Sequence, residues 1–200
     1  MKKLLLSFIL IFTVIIVANQ IKNEVFSKKI TFIGDSIMHS SKKYIAPNFD
    51  NSYFDTKIGR QFSTLPGIIK KLKDENQLGT MVVVHLGTNG MFKEKDFDDV
   101  MDMIGSRPVF FINTVHIDSW EKEVNKKLEE KVNQYKNAHL IDWYSHAKGK
   151  TEYFYKDKTH LKDNGQKYYS EFITKSIKNF LNSEGIIEET IKNIEDATQK

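Results

Sequence analysis

The apolar positions between residues 29 and 183 alternate between short runs and stripes with helical spacing. Five runs predict β-strands, at residues 30–33, 53–55, 81–86 and 109–112 and from residue 140 onward. Stripes spaced by three or four residues predict helices, and their members are Leu65, Ile68, Ile69 and Leu72, then Phe97, Val100, Met101 and Ile104, then Trp120, Val124, Leu128, Val132 and Tyr135, and last Tyr169, Phe172, Ile173, Ile177 and Phe180. This order predicts an α/β fold, a three-layer α/β/α sandwich whose five-stranded parallel sheet has the flavodoxin-like order 2-1-3-4-5.

Two of these helices start near residues with the spacing of a capping box. Asp118 and Glu121 stand at the start of the third stripe, and Asp163 and Gln166 stand before the last one. In a capping box, such side chains bond the N–H groups that have no partner in the first helical turn. We therefore expect both pairs to cap their helices.

The first 28 residues have the pattern of an export segment. Two lysines follow Met1, and residues 4–18 form an apolar run without a polar face. Lysines ahead of such a run keep the N-terminus cytoplasmic and send the rest of the chain outside. The run is slightly shorter than the ~20 residues of a comfortable membrane span, so it either remains as a single anchor or is cleaved near Ala18. We predict three parts: a signal or anchor with a spacer (1–28), a globular domain (29–183) and a polar tail (184–200).

The composition excludes several kinds of chemistry. The chain has no cysteine, which rules out thiol catalysis, disulfides and Cys-bound zinc. No His-Glu-x-x-His or similar spacing occurs, so we expect neither a metal nor another cofactor. The net charge is +4, but the lysines are spread among Asp and Glu without an aromatic-interleaved basic motif, which argues against nucleic-acid binding.

The strongest local signal is Ser36, which follows the first predicted strand in the sequence Ile33-Gly34-Asp35-Ser36. There the chain turns from a strand into a helix, and the first N–H groups of that helix point to the same place. A serine at this position can act as a nucleophile, because the oxyanion formed during ester cleavage needs donors already in place. The alternative is a plain helix N-cap.

Two further polar blocks follow predicted strands. Asn89 follows the run 81–86 and either aims its amide into the crevice as an oxyanion donor or forms an ordinary Asn-Gly turn. Asp157 and His160 precede the last helix. Histidine is the usual base for a serine nucleophile, and a carboxylate orients it, although Asp-x-x-His also occurs in surface loops. All three blocks lie at carboxyl ends of strands in one parallel sheet, which predicts a single site.

Four blocks of the sequence resemble those of the SGNH hydrolases, also called GDSL-like hydrolases: Gly34-Asp35-Ser36, Gly59, Gly87-Thr88-Asn89 and Asp157-Lys158-Thr159-His160. The resemblance extends over residues 29–181. It implies a triad in which Ser36 is the nucleophile, His160 the base and Asp157 the orienting carboxylate. It also implies an oxyanion hole formed by the N–H groups of Ser36 and Gly59 and the amide of Asn89.

Further segments resemble the extracellular domain of A-type peptidoglycan O-acetyltransferases: Gly59-Arg60-Gln61-Phe62-Ser63, Gly87-Thr88-Asn89-Gly90, Trp120 followed by Asn125, Ile141-Asp142-Trp143-Tyr144 and Tyr153-Phe154-Tyr155. This resemblance implies an extracytoplasmic O-acetyltransferase that acts on cell-wall glycan through an acyl-serine intermediate. Those proteins carry a multi-span membrane acyltransferase domain ahead of this domain, whereas this chain has one apolar run, so we expect a separate membrane acyltransferase to supply the acetyl donor. The alternatives are a carbohydrate O-acetyl esterase, another esterase or lipase of the superfamily, and a non-catalytic wall-binding module.

Several other residues are candidates for contacts with the substrate. Arg60 lies in the second block, and His116 lies just past the fourth strand. Trp120, Trp143 and Tyr144 either stack on a sugar ring or belong to the core. The aromatic residues in segments 59–63 and 153–155 are expected to form a platform for an acceptor sugar.

Overall fold

A computed structural model describes residues 29–183 and contains a sheet of five parallel strands. The strands are β1 (Ile30–Gly34), β2 (Ser52–Thr56), β3 (Met81–His85), β4 (Val109–Ile112) and β5 (Ala138–Ile141). Their order is β2-β1-β3-β4-β5, and every neighbouring pair is parallel. The predicted class and strand order are confirmed. Leu140 and Ile141 end the last strand instead of beginning it, because pairing with β4 already starts at Ala138.

Six α-helices connect or follow the strands within the described residues: α1 (Ser36–Ile45), α2 (Leu65–Asp74), α3 (Glu94–Ile104), α4 (Glu121–Val132), α5 (Trp143–Ala147) and α6 (Asp163–Ser183). Short 3₁₀ turns lie at Ala46–Asn48, Phe62–Thr64 and Thr151–Tyr153. Residues 29–174 form one compact unit, and the end of α6 at residues 175–183 belongs to a second unit. The site described below lies in the first unit.

One face of the sheet packs against α2, α3 and α4. The strands contribute Ile33, Val82, Val84, Val109 and Phe111 to this core, and the helices contribute Leu65, Ile69, Leu72, Phe97, Val100, Met101, Ile104, Val124, Leu128 and Val132. These helical residues belong to the stripes in the sequence, so burial of one helix face explains their spacing. The ring centroids of Phe97 and Phe111 lie 4.5 Å apart, which joins α3 directly to β4.

The opposite face carries α1, α5 and the beginning of α6. A Cβ atom added to Gly34 would lie 2.5 Å from the Cβ of Met38, so glycine allows α1 to approach β1 closely. The rings of Trp143 in α5 and Tyr169 in α6 meet edge to face at 5.0 Å. The Tyr169 hydroxyl lies 2.7 Å from Nδ1 of His85 in β3. Helices on both faces complete the predicted three-layer sandwich.

The two predicted capping boxes are wrong. Glu121 is the first residue of α4, and its Oε1 accepts the N–H of His116 at 2.9 Å. Asp163 is the first residue of α6, and its Oδ1 accepts from the Tyr44 hydroxyl at 2.6 Å and from Lys43 Nζ at 2.9 Å. In both cases a group elsewhere in the fold bonds the side chain that was expected to cap the helix.

The predicted export segment at residues 1–28 and the polar tail at 184–200 lie outside the described residues. Between residues 29 and 183, no helix is both long enough and apolar enough to cross a membrane. The anchor or signal and the outer limits of the domain therefore stay predictions.

Candidate active site

Ser36 stands at the carboxyl edge of the sheet, two residues after the end of β1 and at the first position of α1. Asp35 is the N-cap of this helix, and its Oδ1 accepts the N–H of Ile37 at 3.0 Å. This bond fixes the turn from strand to helix. Ser36 is 8% exposed, so most of the residue is buried.

Ser36, His160 and Asp157 form a continuous hydrogen-bonded relay. Ser36 Oγ lies 3.1 Å from His160 Nε2, and His160 Nδ1 lies 2.9 Å from Asp157 Oδ2. Because a carboxylate only accepts, Nδ1 carries the ring hydrogen and Nε2 is free to accept the serine proton. The fold therefore joins the three residues predicted as a triad, although Ser36 and His160 are 124 positions apart.

Asp157 and His160 are positioned by bonds within one short loop, residues 155–160, which we call the relay loop. Asp157 Oδ1 accepts the N–H groups of Thr159 at 3.0 Å and His160 at 2.9 Å. Lys158, between them, has a left-handed backbone with φ of 56°. The N–H of Tyr155 donates to the carbonyl oxygen of His160 at 2.8 Å and closes the loop. The carboxylate–imidazole contact is thus built locally, whereas the contact with Ser36 depends on the whole fold.

The same bonds keep Asp157 ionised. Partial burial acts to raise the pKa of Asp157, but the N–H groups of Thr159 and His160 and the His160 ring together hold it below its usual value of 3.8. A negative carboxylate beside Nδ1 stabilises the imidazolium that forms when Nε2 takes a proton. The loop therefore has the electrostatics that a general base requires.

The other two predicted oxyanion donors, Gly59 and Asn89, belong to segments that meet near the nucleophile. Gly59 has a left-handed φ of 72°, which places it in a tight turn that favours glycine. Asn89 Nδ2 donates to the carbonyl oxygen of Arg60 at 3.2 Å and lies 3.5 Å from Asp35 Oδ2. Asn89 therefore ties the second block to the residue that precedes the nucleophile, while the role of these donors stays a prediction.

Asp35 is a site residue to which sequence reasoning gave no role. Its side chain is fully buried. Burial raises the pKa of Asp35 to about 6, although the Ile37 N–H, the Thr88 side chain and the charge of His160 act in the opposite direction. The carboxylate caps α1 and faces the amide of Asn89, so it positions two parts of the site. Its place before the serine was the only signal in the sequence, and that signal does not reveal burial.

A buried histidine–tyrosine pair lies close to Asp35. His85 Nδ1 and the Tyr169 hydroxyl are 2.7 Å apart. Burial lowers the pKa of His85 to about 3, so its ring is neutral. Burial, reinforced by the negative charge of Asp35, raises the pKa of Tyr169 well above 10.0. Neither group titrates near neutral pH.

Arg60 and Trp143 correct two expectations about substrate contacts. The Arg60 side chain is 9% exposed, and its guanidinium pairs with the Asp55 carboxylate at 2.5 Å. Its charge is therefore already compensated by a neighbouring strand residue. Trp143 is 1% exposed because its ring packs against Tyr169 in the core. We leave both residues out of the candidate site.

His116, Trp120 and Tyr144 lie in different surroundings. His116 lines a cleft of about 420 Å³ together with Tyr155 and Lys158, which flank the triad carboxylate in sequence. Trp120 is half-buried, and its ring centroid lies 5.5 Å from that of His116. Tyr144 is also half-buried but lines a separate cavity of about 300 Å³. Of these three residues, His116 is the one that lines the cleft to which Tyr155 and Lys158 also contribute.

The predicted acceptor platform is divided between the core and the surface. Phe62 is 1% exposed, with its ring 4.2 Å from that of Phe92. The ring of Tyr153 is stacked on Tyr168 at 4.2 Å. Tyr155 is 54% exposed, so it presents an open aromatic face to solvent. The platform is therefore smaller than the sequence suggested.

Asn125 fixes the loop that follows β4. Its Oδ1 accepts the N–H of Thr114 at 2.9 Å, and its Nδ2 donates to the carbonyl oxygen of Thr114 at 2.8 Å. This clamp holds the backbone two residues before His116. The segment of Trp120 and Asn125 that resembled the transferases thus includes a residue that shapes the cleft wall.

A metal centre would need a cluster of ligating side chains. In the part of the chain that the structure describes, no group of three or more His, Cys, Asp or Glu residues could hold a metal ion. The candidate site accordingly consists of the relay, the two predicted oxyanion segments and the adjoining cleft.

Comparison with known proteins gives relatives by sequence and by fold. No family model matches the sequence. The O-acetyltransferase OatA of Staphylococcus aureus is 31% identical over 158 residues, which cover 78% of this chain and 26% of that protein. The C-terminal catalytic domain of peptidoglycan O-acetyltransferase A from Streptococcus pneumoniae superposes with a TM-score of 0.68 and 17% identity, over 76% of this chain and 94% of that one. A family 3 carbohydrate esterase from Clostridium thermocellum superposes with a TM-score of 0.64 and 15% identity, over 78% and 98%.

The fold, the order of the site blocks and these relatives define the class of protein. The sequence relatives and the shared fold support the resemblance to the SGNH hydrolase superfamily seen in the four blocks. Within that superfamily, its sequence relatives include O-acetyltransferases. The chain spans about a quarter of the length of the curated relatives it matches.

Proposed function

We propose that this chain is an extracytoplasmic, serine-dependent O-acetyltransferase that acts on cell-wall glycan through an acetyl-serine intermediate. The observation that carries the proposal is the relay from Ser36 Oγ through His160 to Asp157, with contacts of 3.1 and 2.9 Å at the rim of the sheet. The O-acetyltransferase among the sequence relatives supports acyl transfer as the reaction. The Streptococcus pneumoniae domain belongs to a peptidoglycan O-acetyltransferase, which supports cell-wall glycan as the proposed acceptor.

In the first half-reaction, Ser36 Oγ attacks the carbonyl carbon of an acetyl ester. His160 Nε2 takes the hydroxyl proton as the new C–O bond forms, and Asp157 stabilises the imidazolium. The N–H groups of Ser36 and Gly59 and the amide of Asn89 stabilise the negative carbonyl oxygen of the tetrahedral intermediate. The imidazolium then protonates the leaving oxygen, the ester bond breaks, and the acetyl group remains on Ser36.

In the second half-reaction, His160 removes a proton from an acceptor hydroxyl, which attacks the acetyl-serine. The acceptor is either a sugar hydroxyl, giving transfer, or water, giving hydrolysis. Transfer requires that the sugar is held near the acyl carbon and that water is kept away from it. We favour transfer, because the exposed ring of Tyr155 beside the relay loop offers a surface on which a sugar can rest.

The proposed location is the outer side of the cytoplasmic membrane. Residues 4–18 would hold the domain there as a single anchor, or the domain would be secreted if this segment is cleaved. An acetyl group activated inside the cell has to cross the membrane to meet Ser36. We therefore propose a separate membrane acyltransferase as the donor.

The experiment combines the purified chain, a chromogenic acetyl ester as donor and a chitin- or muramyl-type oligosaccharide as acceptor. Mass spectrometry counts acetylated glycan against free acetate. Ser36→Ala is the matched control, since it removes only one oxygen from a mostly buried side chain and should leave the fold intact. Acetylated glycan that appears with the native chain and not with Ser36→Ala is the expected result.

Two other outcomes would redirect the proposal. If no acetylated glycan forms, and pre-acetylated wall glycan loses its acetyl groups faster than with heat-killed protein, the chain is a carbohydrate O-acetyl esterase. If the glycan binds but neither reaction depends on Ser36, the chain is a wall-binding module and the relay has no catalytic role.

A further inference from the structure

Apart from Tyr155, the residues that line the cleft beside the relay loop have no part in the chemistry described above. Segments 115–117, 148–151 and 154–158 contribute most of its lining. Tyr155 and Lys158 in this lining belong to the loop that carries the triad carboxylate, and the Tyr155 N–H bonds the His160 carbonyl oxygen at 2.8 Å. A ligand in the cleft therefore lies against the same loop that positions the base.

The charge of the cleft is positive. Lys148, Lys150 and Lys158 line it against a single carboxylate, Glu121, a formal surplus of two positive charges. Glu121 lies 3.7 Å from Lys148 Nζ and partly compensates that lysine. Lys150 Nζ donates to the Tyr168 hydroxyl, a neutral partner. Within residues 29–183, neither Lys150 nor Lys158 forms an ion pair with a carboxylate, so both add uncompensated positive charge to the lining.

His116 lines the cleft but adds no charge to it. Its Nδ1 accepts the N–H of Asp118 at 3.2 Å, so the ring hydrogen sits on Nε2. Burial lowers the pKa of His116, although Glu121 and Asp118 act in the opposite direction. The imidazole is therefore a neutral wall of the cleft at pH 7, and the lysines alone make it cationic.

Apolar surface lies beside these charges. Ile117 and Tyr155, which are 62% and 54% exposed, both line the cleft and contribute apolar surface to it. Pockets that combine an apolar wall with a few charged groups bind ligands that have an apolar face and a matching polar group. A sugar ring with an attached carboxylate has this combination.

We propose that the cleft binds a carboxylate of the acceptor glycan, with Lys150 and Lys158 as its cationic partners and Tyr155 against the sugar ring. The inference rests on the proposed function for the identity of the ligand as an acceptor glycan. A bound carboxylate places the acceptor against the relay loop, which gives charged wall glycan an advantage over neutral chitin-like glycan.

The test measures binding without catalysis. Calorimetry with the Ser36→Ala chain compares a peptide-free muramyl disaccharide as its free acid and as its carboxamide. We expect the acid to bind roughly 3- to 10-fold more tightly, the range that two partly exposed ion pairs supply. Lys150→Gln/Lys158→Gln should lose this preference while its affinity for the carboxamide stays the same.

Three further variants locate the effect. Lys150→Arg/Lys158→Arg keeps both charges and should keep the preference for the acid. Lys70→Gln/Lys71→Gln removes two charges from exposed positions on α2 and should change nothing. Tyr155→Ala should weaken the acid and the carboxamide by the same factor, because it removes apolar contact and no charge.

The carboxylate has two sources in wall glycan, and a second ligand distinguishes them. If Lys150→Gln/Lys158→Gln weakens binding of the peptide-free acid, the contact is with the lactyl carboxylate of the sugar. If the same variant weakens binding only of a peptide-bearing disaccharide, the contact is with a carboxylate of the stem peptide. Equal affinity for acid and carboxamide forms of both ligands, or an undiminished acid preference in the Gln variant, would overturn the proposal. Binding to Ser36→Ala needs no acyl transfer, so this result is independent of the transferase assay.

Discussion

Substitution of Asp35 by asparagine should raise the stability of the protein in a pH-dependent way. The carboxylate is fully buried, and burial raises its pKa from 3.8 to about 6 against the opposing effects of the Ile37 N–H, the Thr88 side chain and His160. Between these two pH values, the folded protein keeps a proton that the unfolded chain has released. The stability of the native protein therefore contains a contribution that falls as pH rises through this interval.

The magnitude follows from the pKa difference. A shift of about two units corresponds to ~3 kcal/mol at 1.36 kcal/mol per unit. Asparagine keeps an oxygen that accepts the Ile37 N–H, so the cap is retained and only the buried charge is lost. The new amide cannot accept from Asn89, 3.5 Å away, which offsets about 1 kcal/mol of the gain. We expect Asp35→Asn to be about 2 kcal/mol more stable above pH 7.

Urea unfolding of both proteins at intervals from pH 4 to pH 8 measures this effect. Other carboxylates titrate in both proteins alike, so the difference between the two free energies of unfolding isolates Asp35. That difference should be smallest at pH 4 and reach its full value near pH 7.5. A difference that stays constant with pH, or a less stable variant at pH 8, would refute the reasoning. The variant should also turn over an acetyl ester more slowly, because Asn89 loses a partner that orients it.

Three further predictions concern catalysis, packing and location. Ser36→Ala and His160→Ala should each slow turnover of a chromogenic acetyl ester by roughly 10³- to 10⁶-fold. The double variant should be hardly slower than either single variant, since triad members act as a unit. A double variant whose loss equals the product of the two single losses would contradict the relay. Gly165→Ala should lower the free energy of unfolding by about 2–4 kcal/mol, because the new Cβ would lie 2.2 Å from a backbone carbonyl oxygen. The control is Gly67→Ala, where the new Cβ would meet open space and should raise the free energy of unfolding by about 0.5–1 kcal/mol. Equal effects of the two substitutions in urea unfolding would contradict the predicted steric clash at Gly165. Protease added to cells stripped of their wall should digest the domain, and protection of the intact chain would disprove export; N-terminal sequencing separates an anchor retaining Met1 from a cleaved signal.

The sheet and the relay could be predicted because their signals are local. Each buried strand is an apolar run in the sequence, and Ser36 and Asn89 follow such runs within a few residues, whereas Asp157 and His160 come after α5. The spacing of Asp157 and His160 also predicts their contact, because both belong to one loop. A parallel sheet then gathers blocks from distant parts of the chain at one edge, so the contact between Ser36 and His160 follows from the topology.

Other features depend on contacts that no local spacing encodes. Trp143 was a candidate for sugar stacking because it follows the last strand, yet its ring turns onto Tyr169 in a later helix. Glu121 has the spacing of a capping residue, but its carboxylate accepts the N–H of His116 instead. The cationic cleft joins side chains from separate loops, and the burial that perturbs Asp35 depends on packing by the whole domain.

The loop from Asp157 to His160 also determines how the catalytic machinery can move. The carboxylate, the imidazole and the loop backbone are bonded to one another, so they move as one rigid part. Ser36 belongs to a second rigid part, formed by β1 and α1. The distance from Oγ to Nε2, 3.1 Å, is the contact of the relay that joins the two parts. A ligand that presses on the loop from the cleft would lengthen or shorten that distance without disturbing the orientation of the base, and so would couple occupancy of the cleft to the rate of acylation.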